Sequence, residues 1–341
     1  MQSPAERKHS DTTSSAGRVL PLEPPEPTLP DGTPRRVGVE IEFAGLDAAD
    51  TSRLVRYIYG GRIEIEDEHR RHIVGTSLGD FTVELDWFAA HGSRKNDEQP
   101  KGTLDEIEEK IRAAVGDVGS MVMPYEISCP PVPIDKLTEL DALVEGLRRS
   151  GAQGTEGRFF YAFGLHFNPE ASRRDADGIL NVLKSYLLLS SWLREQMDID
   201  MARRVAPFVH RFPDPYAALV LEPDYRPDLL RLARDYMHWN PSRNRELDLY
   251  PLFACIVPEA LTNMRSDPHV KARPTWHWRL PDSRVGVPGW SIVPDWNRWV
   301  QVERLSIDGW ALDELGAMWR ERWKAGALTE WPGIVQRWMA P

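Results

Sequence analysis

Residues 35–43 read Arg-Arg-Val-Gly-Val-Glu-Ile-Glu-Phe, and no other stretch restricts the fold as much. At a period of two, Val37, Val39, Ile41 and Phe43 fall on one side of an extended chain and Gly38, Glu40 and Glu42 on the other. A strand patterned this way buries one face and leaves two carboxylates side by side on the opposite face. Alternate residues on a strand lie roughly 7 Å apart at the backbone, close enough for their side chains to lean together. Such a pair suits divalent cations, which in two-metal catalytic sites sit about 3.5–4 Å apart. A single Glu-x-Glu is also what any solvated strand face offers, so a metal site requires the pattern to return elsewhere in the chain.

It does return. In residues 80–87, Phe81, Val83, Leu85 and Trp87 make one face, and Glu84 and Asp86 share the other. Residues 121–128 read as a third strand carrying Glu126, and 159–168 as a fourth carrying His166. A short fifth strand at 275–280 carries His277 and Arg279. Between them the periodicity predicts a helix from Asp50 as cap to Tyr59, a hairpin over 62–66 and 70–75, and helices at 103–117 and 138–150. The longest helix is expected over 176–197, capped by Ser172 or Asp175. Residues 200–272 are proline-rich and irregular, with a helix at 227–238; helices at 292–305, 309–324 (capped by Asp308) and 330–338 close the chain. The spacing of the C-terminal tryptophans points to core packing. Strands interleaved with helices in this way predict an α+β fold, a mostly antiparallel sheet with helices packed on one face and the polar set on the other.

Composition narrows the function classes. A formal net charge of −10 with no Lys/Arg block disfavours a nucleic-acid backbone as partner. Cys129 and Cys255 are the two cysteines, too few for a disulfide framework or a cysteine metal site, so a reducing cytoplasm is expected. No apolar run reaches the roughly 18 residues of a membrane span, and the first residues lack the apolar core of a signal peptide. Residues 1–34 are rich in Ser, Pro and Glu and are expected to be a disordered tail, with 35–341 as one catalytic domain.

Four motifs in order carry a resemblance: Gly38-x-Glu40-x-Glu42-Phe43, Tyr125-Glu126-Ile127-Ser128-Cys129-Pro130-Pro131, Gly164-Leu165-His166-x-Asn168 and Thr275-x-His277-x-Arg279. Over residues 36–305 the chain resembles the amidoligase family, carboxylate–amine ligases related to glutamine synthetase and glutamate–cysteine ligase. The resemblance implies a glutamine-synthetase-like fold with a curved catalytic sheet. It also implies ATP and Mg²⁺ as cofactors and an amide made through an acyl phosphate. The substrates would be a carboxylate and an amine, with a peptide or protein among the candidates. Carried over by position, it makes Glu40, Glu42, Glu84 (or Asp86), Glu126 and His166 the metal ligands.

Phosphoryl transfer needs charge neutralisation and in-line geometry rather than covalent help. Cations bridging phosphate oxygens and forked arginines supply both. Arg279 is therefore the first phosphate candidate, with Glu126 beside it in the catalytic set and Arg273 and Arg284 as further cofactor contacts. The chain departs from the family where His277 replaces a usual Glu and Asn168 a usual His. An imidazole at 277 can still ligate and favours Mn²⁺ tolerance. Asn168 is expected to hydrogen-bond a substrate carboxylate. Two rival readings remain, a metal-dependent hydrolase on the same carboxylates and an impaired binding module of the same fold.

Overall fold

The computed structural model describes residues 19–85, 124–155, 163–199, 209–261 and 271–340. The helix expected at 103–117, Asp86 and the outer parts of the strands at 121–123 and 159–162 lie outside the described residues.

Seven strands form one antiparallel open sheet: β1 (Arg36–Phe43), β2 (Arg62–Ile65), β3 (Arg70–Val74), β4 (Phe81–Leu85), β5 (Tyr125–Ser128), β6 (Val132–Pro133) and β7 (Leu165–Pro169). The spatial order runs β2-β3-β4-β5-β1, with β6 also on β1 and β7 pairing β1 along its other edge. β5 and β6 pair successive parts of β1, Ser128 opposite Glu40 and Val132 opposite Val37. The register slips by one residue between them. That bulge falls at Cys129-Pro130-Pro131, where two prolines offer no N–H to the ladder. The expected strand at 275–280 appears as an extended segment continuing the sheet beyond β7. It exchanges Phe167 N–Trp278 O (2.9 Å) and Trp278 N–Phe167 O (2.8 Å) bonds, but is too short and broken to form a regular strand.

Nine α-helices are present among the described residues: α1 (Ala48–Tyr59), α2 (Asp141–Arg149), α3 (Ala176–Gln196), α4 (Asp214–Val220), α5 (Leu229–Trp239), α6 (Tyr250–Ile256), α7 (Val293–Ser306), α8 (Gly309–Lys324) and α9 (Trp331–Met339). Asp47 rather than Asp50 caps α1, its carboxylate accepting from the Asp50 N–H at 2.7 Å. Gly60 (φ 76°) then leaves the helix in the left-handed region. Asp175 caps α3 and Asp308 caps α8, each through a side-chain oxygen on a first-turn N–H. The stretch expected to be irregular holds α4 and α6 besides α5, because their cores are local apolar clusters too short to show a helical period.

The apolar side of the sheet is the core. Val37, Val39, Ile41 and Phe43 are fully buried, as are Ile73, Phe81, Val83, Ile127, Leu165 and Phe167. Each such side chain contributes about 1.5–3 kcal/mol on burial, so a one-residue slip of β1, which would expose four of them and bury two carboxylates, is strongly disfavoured. α1 covers one end, with Tyr59 stacked on Phe81 at 5.3 Å. α7 covers the other, with Trp296 against Phe167 and Trp299 against Trp276 and Trp278.

Residues 20–34 depart from the expected tail. Leu22 N donates to Asn297 Oδ1 (2.7 Å), Trp296 Nε1 to the Leu22 carbonyl (3.0 Å) and Asn297 Nδ2 to the Leu20 carbonyl (3.0 Å). Ser172 donates to Glu26, and Arg35 to the Glu26 carbonyl. The segment docks mainly through its backbone, with the Glu26 carboxylate and Leu22 adding side-chain contacts, and composition does not report main-chain bonds.

Candidate metal centre

The polar face of the sheet collects side chains row by row, because cross-strand partners point the same way. Arg70, Glu84, Glu126 and Glu42 form one row through the pairs Arg70–Glu84, Glu84–Glu126 and Glu126–Glu42. Thr82, Ser128, Glu40 and His166 form the next. Gly38 stands opposite Asn168 in a third. The segment 275–280 then turns Trp276 and Trp278 into the core and His277 toward Glu40.

The result is two compact donor groups that share one imidazole. Glu40, His166 and His277 make one, Glu42, Glu126 and His166 the other, and within each group one atom per residue lies within 4.8 Å of the rest. Cis ligands on an octahedral cation with 2.0–2.1 Å bonds are about 3 Å apart, so either group can close on a cation with small movements. His166 Nδ1 lies 3.1 Å from Glu40 Oε2 and its Nε2 3.2 Å from Glu42 Oε1. A neutral imidazole has one lone pair and one N–H, so His166 can ligate in one group while donating to the carboxylate of the other. Burial, working against the nearby Glu42 and Glu40 carboxylates, lowers the His166 pKa, which favours the neutral ring that binds metal.

Glu40 is the hub. Its Oε2 faces both imidazoles (3.1 Å to His166 Nδ1, 3.6 Å to His277 Nε2), and its Oε1 accepts from Asn168 Nδ2 (3.0 Å) and Arg273 Nη2 (3.3 Å). Burial alone would raise its pKa; contacts with His166 and His277 and the charge of Arg273 hold it well below the carboxylate range instead. Glu42 is fixed by the Gly164 N–H, which donates to its Oε2 at 2.6 Å, and Ser128 donates to Glu126 at 3.1 Å. His277 Nε2 is buried without a hydrogen-bond partner while facing a carboxylate, as an imidazole nitrogen does beside a cation position. The group Glu42, Glu126 and His166 is oxygen-rich and suits Mg²⁺ or Mn²⁺, whereas Glu40 with two imidazoles is the softer group.

Through Glu40 the first donor group borders a cleft of about 380 Å³, lined also by Glu84, Glu170, Arg70, Asn168, Lys271 and Arg273. A second hollow of about 610 Å³ between α1 and α2 is lined by Tyr59, Ser77, Thr138, Glu139 and Asp141, with no imidazole or basic group among its lining residues.

The structure sorts the residues singled out above. Glu40, Glu42, Glu126, His166 and His277 converge. Glu84 lies in the same row but outside both compact groups, with Arg70 Nε 3.3 Å from its Oε2. Arg273 reaches Glu40, while Arg279 acts electrostatically on His166 and Asp248 and donates to the Arg243 carbonyl. Arg284 does not line the cleft. Its Nη2 donates to the carbonyls of Met197 and Asp198 (both 2.7 Å), groups left over where α3 ends. Asn168 gives one of its two amide N–H groups to Glu40 Oε1 at 3.0 Å.

Three neighbours escaped the sequence reading. Arg70 and Lys271 add positive charge to the cleft, and Asp248 lies behind His277 with its Oδ2 3.3 Å from Nδ1. Asp248 had a readable signal: Glu246 and Asp248 alternate with Leu247 and Leu249, the pattern already met in β1. All four are fully buried.

A family model described as a putative amidoligase enzyme matches residues 33–301, more than half of the chain. No curated protein and no solved structure gave a match. No helix among the described residues is long and apolar enough to cross a membrane.

Proposed function

The chain belongs to the amidoligase family, and from that premise we propose that it is an ATP- and Mg²⁺-dependent carboxylate–amine ligase with a glutamine-synthetase-like catalytic sheet. The observation that carries this reading is the convergence of Glu40, Glu42, Glu126, His166 and His277 on one sheet face, next to a cleft that Glu40 lines together with Arg70, Lys271 and Arg273. These five residues would hold divalent cations, with Glu84 at the outer margin. A bound cation there would neutralise phosphate oxygens and lower the barrier to phosphoryl transfer.

In the overall reaction a substrate carboxylate oxygen attacks the γ-phosphorus of ATP and ADP leaves. The amine then displaces phosphate from the acyl carbon and loses a proton. The protein's own part is positional. Arg273, on the cleft wall, and Arg279, beside His166, are the anion-binding candidates, and forked guanidinium groups orient phosphate or carboxylate oxygens. Glu126, accepting from Ser128, belongs to the donor group that contains Glu42 and the shared imidazole. The two imidazoles make the donor set softer than an all-carboxylate one, which favours activity with Mn²⁺ as well as Mg²⁺.

The test is an assay of purified protein with ATP, Mg²⁺ and panels of acids and amines, following ADP, phosphate and product mass. An acid labelled with ¹⁸O should deliver one label to the released phosphate. Phosphate release that ignores acid and amine would defeat the ligase reading. Amide or ester cleavage without ATP would favour the hydrolase, and ATP binding without turnover the binding module.

A further inference from the structure

His277 reaches the donor cluster from a segment that is not a regular strand, so something must aim its ring. Behind it stands Asp248, fully buried, at the end of a stretch that crosses the same segment: Asp248 N donates to the His277 carbonyl (2.9 Å) and Leu247 bridges Trp278. The Asp248 carboxylate is itself fixed on both oxygens. Oδ1 accepts from Tyr250 N–H (2.9 Å) as α6 begins, and Oδ2 lies 3.2 Å from Arg243 Nε and 3.3 Å from His277 Nδ1. The opposite ring nitrogen, Nε2, is buried without a hydrogen-bond partner and faces Glu40 Oε2 at 3.6 Å.

We propose that Asp248 is the positioning residue for His277: it keeps the proton on Nδ1 and thereby aims the Nε2 lone pair at the cation position shared with Glu40 and His166. The inference rests on the cation reading above, and the chemistry is direct. Both ring nitrogens face carboxylates, which only accept; Asp248 is the nearer (3.3 Å against 3.6 Å to Glu40), so a neutral ring carries its one hydrogen on Nδ1. In a neutral ring the other nitrogen is then unprotonated, and a lone pair directed at a carboxylate finds an attractive partner only if a cation lies between them. Metal-bound histidines are generally oriented this way through the second nitrogen, and loss of the orienting group weakens metal affinity about 10–100-fold. Arg243 and the Tyr250 N–H keep the Asp248 side chain from swinging toward the cations itself. Every partner of Asp248 is a donor, so Asp248→Asn is an informative change. Its amide accepts on one side only: with the oxygen kept on Tyr250 N–H, its NH₂ faces both Arg243 Nε and His277 Nδ1, and the ring relieves its donor–donor contact by moving the proton to Nε2.

The experiment uses the full chain. Mn²⁺ is titrated, with free Mn²⁺ read by electron paramagnetic resonance, into the native protein, Asp248→Asn, His277→Ala and the double variant, with thermal melts to confirm folding. Asp248→Asn should weaken Mn²⁺ binding about 10–100-fold and should add nothing in the His277→Ala background. Unchanged affinity, or the same loss in both backgrounds, would overturn the positioning role. In parallel, ¹⁵N spectra of histidine-labelled metal-free protein at pH 9 should show His277 protonated at Nδ1 in the native chain and at Nε2 in Asp248→Asn. The same tautomer in both would also overturn it. If the native protein binds no Mn²⁺, the cation reading fails by itself, and the tautomer spectra still decide what Asp248 does.

Discussion

Replacing Arg35 with Met should cost the protein about 3–5 kcal/mol, the loss typical of stranding one half of a buried ion pair. Arg35 is 1% exposed and Glu303 5%. The guanidinium is bidentate on Glu303, at 2.8 Å from Nη1 and 2.7 Å from Nη2, and also donates to the carbonyls of Glu170 (2.9 Å) and Glu26 (2.8 Å). One side chain thus joins the start of β1, the end of β7, the docked N-terminal segment and α7. Trp299 Nε1 also donates to Glu303 (2.7 Å), so Glu303 would keep one hydrogen bond but no countercharge after the change. Methionine fills much of the lost volume, which isolates the electrostatic part. The double variant Arg35→Met/Glu303→Gln removes the orphaned charge while keeping an acceptor for Trp299. It should be more stable than Arg35→Met alone by about 1–3 kcal/mol, the usual penalty for an unsatisfied buried group. Urea unfolding followed by tryptophan fluorescence gives the four corners of the cycle. A single variant within about 1 kcal/mol of the native protein, well short of the penalty expected for a stranded charge, would refute the reasoning. So would a double variant whose loss is the plain sum of the two singles.

Other outcomes follow from the same geometry. Glu42→Gln and Glu126→Gln should each abolish cation-dependent ATP turnover while leaving the melting temperature nearly unchanged, since neither carboxylate packs in the core; near-native turnover would remove that residue from the site. Deleting residues 1–34 should lower the melting temperature by several degrees, because it strips acceptors and donors from Trp296, Asn297, Ser172 and Arg35; an unaltered melt would show the docking to be without weight. Asp295, in the first turn of α7, has its pKa raised by burial from 3.8 to about 6 despite Arg298. The folded state therefore holds that proton more tightly than the unfolded chain, and stability should fall as pH rises from about 4 through about 6. Asp295→Asn should flatten that slope and gain up to about 3 kcal/mol at pH 8; melts across pH that keep the slope in the variant would assign it to another group.

The sequence by itself determined which face of each strand is polar. The alternation in β1 put Glu40 and Glu42 on one face, and the same reading turned Glu126, His166 and His277 to the polar side, because side-chain direction on a strand is a local property with period two. It also located the core helices, whose period is equally local, and missed α4 and α6, which are too short to display one. What only the tertiary structure decided was distance between elements. The register of β5 and β7 on β1 set Glu126 beside Glu42 and His166 beside Glu40, and hydrogen bonds to β7 brought His277 in from more than a hundred residues away. Arg284 and Arg273 look alike in sequence, yet the end of α3 engages one and the cleft receives the other. Residues 20–34 look unstructured by composition, yet dock mainly through main-chain groups that every sequence possesses. Asp248 entered the site because the fold lays its segment across 275–280. Periodicity fixes which way a side chain points; its neighbours depend on pairing between distant segments, which the whole chain's burial and hydrogen bonding select at once.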